Sequence, residues 1–456
     1  MIRIGYLGMA AKDDNKDSEE FLYTLAQNKH IEFKLPLAEI TTINLAYCHL
    51  ECLPHYFHLP SLKELNLSHN KLTELPECFY NNHLPLLEVL DLSFNMLKNF
   101  DREPDCLLKL RELNLGHNSF YNTPVWFLHL CCLNLECFNY SQNGATNYNF
   151  VSNNFDQHFN KLHKLELVNS CLIDKDVKWL RAISTLRYLN ISNKDCLDDH
   201  NINNFRELNA LFDKPAWKDL IILKINYLSL PLFPQNLLNV TSLRELYISN
   251  NHLSWLPADL NQLFFLEVLD ISDNQLVYIS KEILELTKLR VLLASGNQLE
   301  EIPYFPASLE VFDLYNNIIS SINVNNLDNL SMYDVDYNYV DVTESDLIDV
   351  EGYSRKKEEF RRIYDKSYRS HYNKPRVSYD PPSSISSNDS WDGEFLDVKC
   401  DVTVEEDWDK DYVKNADISW SDNEFVGDEY VFTPSSQFQA RNQEVCNEDW
   451  MFVDAD

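Results

Sequence analysis

The stretch Leu243–Leu299 holds three near-copies at one period: LRELYISNNHL (Leu243–Leu253), LEVLDISDNQL (Leu266–Leu276) and LRVLLASGNQL (Leu289–Leu299), each beginning 23 residues after the last. In every copy apolar residues fall at positions 1, 4, 6 and 11 with Asn at position 9, as in Leu243, Leu246, Ile248, Leu253 and Asn251. Positions 4 and 6 alternate with other residues, the period-two pattern of a short strand buried on one face. Position 9 is where the chain must turn away from that strand. A carboxamide there can satisfy backbone groups that the turn would otherwise bury without partners. Five fixed positions at a constant interval mark a repeat array, in which each unit buries its apolar edge against the next.

The same register extends in both directions. Copies begin at Ile40, Leu62, Leu87, Leu110, Leu135, Leu162, Leu186, Leu220, Leu243, Leu266, Leu289, Leu309 and Leu330, which makes 13, with spacings from 20 to 34 residues. Nine have Asn at position 9; Cys48, Ser170, Lys194 and Leu228 stand there in the others. Cys48 and Ser170 can still donate a hydrogen bond, whereas Lys194 and Leu228 are true departures. Those two flank the longest spacing. The extra residues, roughly Leu197 to Trp217, include INNFRELNALF, which reads as an inserted helix. The array is therefore expected to break or bulge there, through a flexible joint or through a kink packed by Phe205, Leu208, Leu211 and Trp217. Several copies carry a Leu-Pro or Ile-Pro step (Leu53-Pro54, Leu75-Pro76, Leu256-Pro257, Ile302-Pro303) that fixes φ on the return segment. The last two spacings shorten, which predicts a tight extended return.

The pattern L-x-x-L-x-L-x-x-N-x-L over about residues 40–345 resembles the leucine-rich repeat superfamily, and the 23-residue copies with Leu-Pro steps look like its intracellular, Ras-suppressor-like class. The resemblance implies an α/β repeat solenoid, a leucine-rich repeat horseshoe with a concave parallel β-sheet, and protein binding as its usual work. The repeat residues themselves are structural, so they speak to fold rather than function.

The ends read differently. Residues 1–39 are expected to cap the solenoid of 40–349, with a helix at Ser18–Asn28 and the segment Ile31–Leu35 covering the first repeat. Residues 350–374 are expected to form a basic C-terminal capping helix; 354–374 alone hold eight Lys/Arg against three acids. From Pro375 to Asp456 the composition turns to that of a disordered acidic-aromatic tail, with 21 Asp/Glu against 5 Lys/Arg and four of the eight tryptophans. Within it, Glu448–Val453 resembles the autophagy-receptor motif, in which Trp450 and Val453 would fill two pockets as a strand is added to a partner sheet. Lys374–Tyr379, KPRVSY, is close to the docking motif of protein phosphatase 1 but ends in Tyr.

A formal charge of −32 argues against direct nucleic-acid binding and against an anionic membrane surface. The first residues lack a secretory pattern, no long apolar run reads as a membrane helix, and the 11 cysteines are odd in number and unclustered. Reduced thiols in the cytoplasm, or in the nucleus, are the expected state.

Side chains at positions 5, 7 and 8 should leave the concave face. Most are Asn, Asp or Ser. The departures, with their acidic neighbours, form the expected partner-binding floor: Lys224, Tyr227, Tyr247, Asp270, Asp273, Leu293, Asp313, Tyr315, Asp334 and Tyr337. Tyrosine buries a large area with a polar tip and little entropy loss, and the acids favour a protein partner with a basic surface. His69, Phe94 and His117 align at position 8 of successive repeats as a smaller second patch. No phosphate-cradling Gly-rich loop, G-x-S-x-G or H-E-x-x-H occurs, so neither catalysis, a cofactor, a metal nor a small-molecule ligand is expected. The expectation is a non-enzymatic scaffold that binds one protein on the concave face while the tail recruits another. The alternative is a regulatory or substrate-recognition subunit of a phosphatase or ubiquitin ligase.

Overall fold

The computed structural model describes residues 2–3, 37–54, 57–75, 79–80, 83–98, 109–121, 134–144, 161–194, 201–213, 217–321, 327, 329–339 and 350–364. The chain divides into two units, Met1–Arg361 and Arg362–Asp456, a boundary inside the helix expected at 350–374. In the first unit the described strands are β1 (Ile2–Arg3), β2 (Thr42–Asn44), β3 (Glu64–Asn66), β4 (Val89–Asp91), β5 (Glu112–Asn114), β6 (Cys137–Asn139), β7 (Lys164–Glu166), β8 (Tyr188–Asn190), β9 (Ile222–Lys224), β10 (Glu245–Tyr247), β11 (Val268–Asp270), β12 (Val291–Leu293), β13 (Val311–Asp313) and β14 (Met332–Asp334). They form one parallel sheet in sequence order. Each repeat strand spans positions 3–5 and pairs with the same positions of its neighbour, as Leu246 does with Leu223 and Leu269. The 13 repeat strands match the 13 copies. β1 was not foreseen: it pairs with β2 and adds a strand outside the first repeat.

Positions 1, 4, 6 and 11 make the core. Leu243, Leu246, Ile248 and Leu253 are all fully buried, as are their counterparts Leu266, Leu269, Ile271 and Leu276. Burying one such side chain is worth about 1.5–3 kcal/mol. Position 9 supplies the polar counterpart. Asn70 Nδ2 donates to the carbonyls of Leu45, Leu67 and Ser68, while its Oδ1 accepts from the N–H groups of Cys48 and Leu50. One side chain thus completes two successive turns, and Asn251 repeats the pattern. Where Asn is missing, a single donor does part of the work: Ser170 Oγ donates to Tyr140 and Val168 carbonyls, and Cys48 Sγ to that of Ala46.

The break expected near residues 190–230 takes another form. β8 pairs with β9 in register, so the sheet runs on. Asn203 Nδ2 donates to the carbonyls of Leu167, Ile191 and Ser192, and its Oδ1 accepts from Ser170 and Leu172. That is the bonding set of a position-9 Asn. The residues inserted into the repeat are therefore 194–202, between positions 8 and 9, and Lys194 never replaced the Asn. Asn193 and Asn203, on either side of the insertion, are joined by reciprocal bonds. The segment read as an inserted helix is the ordinary return of this repeat, a 3-10 turn at Leu208–Phe212. Phe205, Leu208, Leu211 and Trp217 are buried in it, and Trp217 Nε1 donates to the Ile183 carbonyl.

Other described returns are also 3-10 turns, such as Gln235–Asn239, Ala258–Gln262 and Lys281–Glu285, the first two starting right after Pro234 and Pro257. One repeat instead forms the α-helix α1, Val177–Ala182. After Leu289 the return to Leu309 contains no helix, as the short spacing predicts. The C-terminal helix α2 runs over Val350–Tyr364, beginning at the expected point, with Phe360 buried. Of its basic residues, Lys357 bonds Asp336 and Arg361 bonds both Asp334 and Asp336. The helix at Ser18–Asn28, Ile31–Leu35, residues 365–374 and the whole tail, with Trp450 and Val453, lie outside the described residues.

Candidate protein-binding face

Positions 6 and 8 carry the sheet bonding past each strand: Leu45 and Tyr47 N–H donate to the Asn66 and Ser68 carbonyls. The N–H of position 7 is left over. In most repeats the position-5 side chain takes it, as Asn66 Oδ1 does from Ser68 and Asn114 Oδ1 from Gly116. Asp270, Asp313 and Asp334 do the same for Ser272, Tyr315 and Asp336. The frequent Asn and Asp of this face are therefore structural.

Four repeats have neither Asn nor Asp at position 5: those with Glu166, Lys224, Tyr247 and Leu293. Where position 5 is Glu166, Lys224 or Tyr247, the preceding repeat supplies the acceptor instead: Ser141 Oγ for Val168, Ser192 Oγ for Asn226, and Asn226 Oδ1 for Ser249. The released side chains gather with position-3 residues of β7, β8 and β10. Lys224 Nζ lies 5.6 Å from the Tyr188 ring centre and 4.8 Å from that of Tyr247, held between two aromatic faces. Lys164 pairs with Glu166 at 3.4 Å and lies 5.3 Å from the Tyr188 ring centre. Tyr247 Oη donates to Glu245 Oε2 at 2.9 Å. Burial pushes Lys224 below the ordinary lysine range, with Glu166 and Glu245 pulling it back up. Burial likewise raises Glu245 and Asp270, and holds the Tyr188 and Tyr247 phenols well above 10.0.

At the C-terminal end the chain covers its own acids. Arg361 Nε and an Nη bond Asp334 at 2.8 Å and Asp336 at 2.7 Å, and Lys357 Nζ bonds Asp336 at 3.1 Å. The guanidinium carbon lies 6.0 Å from the Tyr315 ring, which is 4.9 Å from that of Tyr337. These carboxylates raise Arg361 further.

The rim at position 8 turns through the left-handed region. Tyr47, His69, Phe94, His117, Tyr227, Asp273 and Tyr337 all have φ between 50° and 58° there, and Gly296 has 66°. A Cβ at Gly296 would overlap the Asp273 carboxylate. Such a φ costs an L residue roughly 1–2 kcal/mol. Tyr47, His69, Phe94 and His117 offset it by stacking face to face, with centroids 4.1, 4.1 and 3.9 Å apart and planes within 12°. Stacks of this kind contribute about 0.5–1.5 kcal/mol per pair.

The family model described as leucine rich repeat matches residues 60–120, and a second of the same description matches 242–263. These segments are leucine-rich repeats, and the parallel-stranded array is a leucine-rich repeat solenoid. No curated protein matches by sequence. Among solved structures, an internalin from Listeria monocytogenes is similar at 20% identity and a TM-score of 0.50, over 70% of this chain and 86% of that one. A leucine-rich repeat protein of Leptospira interrogans has 21% identity and a TM-score of 0.43, over 73% and 77%. TLR13, solved in complex with ssRNA13, has 20% and 0.48, over 66% and 50%. At these identities the likeness is one of fold. Leucine-rich repeat domains generally mediate protein–protein interaction and are typically non-enzymatic.

The expected site residues of this leucine-rich repeat protein separate into groups. Lys224, Tyr247 and Asp270 sit together on β9–β11. Leu293, partly buried on β12, stands between them and Asp313, Tyr315 and Asp334, which are buried at the end that α2 covers. Tyr227, Asp273 and Tyr337 lie on the rim. Position 3 was missed altogether, and with it Lys164, Tyr188 and Glu245; Glu166, at position 5, was missed too. Strand alternation was the available signal, since positions 3, 5 and 7 leave the same face. Tyr47 was likewise missed from the ring stack. Among the described residues no group of three His, Cys, Asp or Glu is placed to hold a metal ion, and no helix is long and apolar enough to cross a membrane.

Proposed function

We propose that the protein is a cytosolic, non-enzymatic scaffold whose main partner docks on the concave face over β7–β11. One observation carries this reading: at Glu166, Lys224 and Tyr247 the preceding repeat takes over the backbone bond that Asn and Asp side chains make at position 5 elsewhere. These three take no part in that turn, and with Tyr188 and Glu245 they offer aromatic and charged groups already ordered before binding, which lowers the entropy lost on docking. The partner presents a basic surface. Support comes from the way Asp334, Asp336 and Tyr315 hold the chain's own Arg361, a cation between carboxylates and an aromatic ring. The acidic tail recruits a second protein through Trp450 and Val453, raising the effective concentration of one partner near the other.

Full-length baits test this. The wild type and a convex-side control, Leu284→Ala, are expected to retain the same dominant partner. Lys224→Ala combined with Tyr247→Ala should lose it, with melting temperature nearly unchanged, while Trp450→Ala should release only a second protein. Retention by the concave variant with loss by Leu284→Ala would move the site to the other side.

A further inference from the structure

Beside the binding face, β6 and β7 bring a thiol to a base. Cys137, at position 3 of its repeat and partly exposed, places Sγ 3.8 Å from Nε2 of His163. The other ring nitrogen, Nδ1, lies 3.3 Å from the Lys161 carbonyl oxygen. A carbonyl only accepts, so Nδ1 carries hydrogen, and in the neutral ring Nε2 is left as the acceptor for the thiol. This is a nucleophile, a base and a group that fixes the tautomer of the base. The other described thiols with a printed partner differ. Cys171 Sγ donates to the Asn201 side-chain oxygen at 3.6 Å, and buried Cys48 to the Ala46 carbonyl at 3.5 Å. Neither an amide nor a carbonyl oxygen takes up the proton.

The charged surroundings act in both directions. Lys164, opposite Cys137 on β7, favours a thiolate, and Glu112, opposite on β5, opposes one. Glu136 and Lys161, of opposite charge, lie near the imidazole, and the Arg187 backbone N–H bonds the His163 carbonyl. Lys164 is itself paired with Glu166, and Glu136 with Arg111.

We propose that Cys137 is a base-activated thiol and a site of covalent modification by soft carbon electrophiles of the α,β-unsaturated carbonyl class. The proton passes from Sγ to Nε2, leaving a thiolate beside an imidazolium. Sγ then bonds the β-carbon as the carbon–carbon π bond breaks, its electron pair moving to the carbonyl oxygen as an enolate. The proton on Nε2 returns to the α-carbon, so His163 ends neutral and no oxidant or reductant is consumed. The adduct would stand one strand from Lys164 and Glu166, on the same sheet face. The chemistry does not rest on the proposed partner.

The test is N-ethylmaleimide labelling of the full-length protein from about pH 5.5 to 8.5, with each cysteine followed by peptide mass mapping. At about pH 6.5, Cys137 is expected to react about tenfold faster than Cys171, because only it is deprotonated by a neighbour. Below about pH 8 the Cys171 rate should fall about tenfold per unit and the Cys137 rate less steeply. His163→Gln should remove both differences, its fold checked by circular dichroism. A Cys137 rate no greater than that of Cys171, or His163→Gln labelling at the wild-type rate, overturns the proposal. Should the variant unfold, the wild-type pH profile decides alone: a fall as steep as that of Cys171 overturns the proposal, and a shallower one supports it.

Discussion

Asn203 and Asn274 occupy very different sequence settings and play the same part in the turn, each donating to its own strand end and to that of the preceding repeat. Removing either amide leaves buried backbone groups unpaired, so Asn203→Ala and Asn274→Ala should each cost about 1–3 kcal/mol in urea unfolding. Leu269→Ala, in the core of the most regular repeat, should cost about 2–5 kcal/mol. Asp91 offers a test through pH. Burial pushes its carboxyl above 3.8, with bonds from Ser93 and Asn114 pulling it partly back. The folded chain then holds that proton more readily than the unfolded one. Stability from this residue is fully present below the unfolded value and is lost as pH rises through the raised one. Asp91→Asn keeps the acceptor for Ser93 that Asn66 and Asn114 supply in adjoining repeats. It should melt higher than wild type near pH 8, with the difference vanishing as pH falls to about 4; a constant difference would show that ionisation plays no part.

At the scale of elements, residues 194–202 are inserted between positions 8 and 9, and β8 still pairs with β9 in register. Loop-closure entropy changes slowly with length, at about 0.6 kcal/mol per doubling. Deleting 194–202, which joins Asn193 directly to Asn203, should therefore preserve the circular dichroism spectrum and shift the urea midpoint only modestly. Loss of the fold would show that the loop itself holds the two halves of the array together. α2 is the contrasting case. Its buried Phe360 covers apolar surface while Lys357 and Arg361 neutralise carboxylates on the last strand, so one element both closes the core and takes part of the acidic face out of play.

For the whole molecule, charge dominates. A formal −32 over 456 residues means that every repeat folds in a field of like charge. The ion pairs that alternate along position 2, Lys63 with Glu88, Arg111 with Glu136, Arg290 with Glu310, are exposed or half-exposed and offset it only slightly. Salt shortens the screening length from about 30 Å at 0.01 M to about 8 Å at 0.15 M. The melting temperature of the full chain should rise between those two conditions. A fall on adding salt would mean that the local pairs outweigh the general repulsion.

The sequence by itself determined the architecture, because the fold repeats one local solution. Leu243, Leu246, Ile248 and Leu253 announce a strand and its turn, and their recurrence at 23 residues announces the stacking. Thirteen copies read from spacing correspond to thirteen of the fourteen described strands. What spacing could not carry was anything settled by contacts between distant residues. Asn203 stands 17 residues after its repeat begins at Leu186, and only the bonds to Leu167 and Ser170 show that it fills position 9. The candidate face was half legible for the same reason. Lys224 and Tyr247 stood out as departures, but their release from backbone duty depends on Ser192 and Asn226 in the preceding repeats. Tyr188 completes the cluster only because β8 lies beside β9. Arg361 reaches Asp334 from 27 residues away, after the repeat pattern has ended. A local pattern fixes which face a side chain leaves; which partner it meets there is decided by register across the sheet.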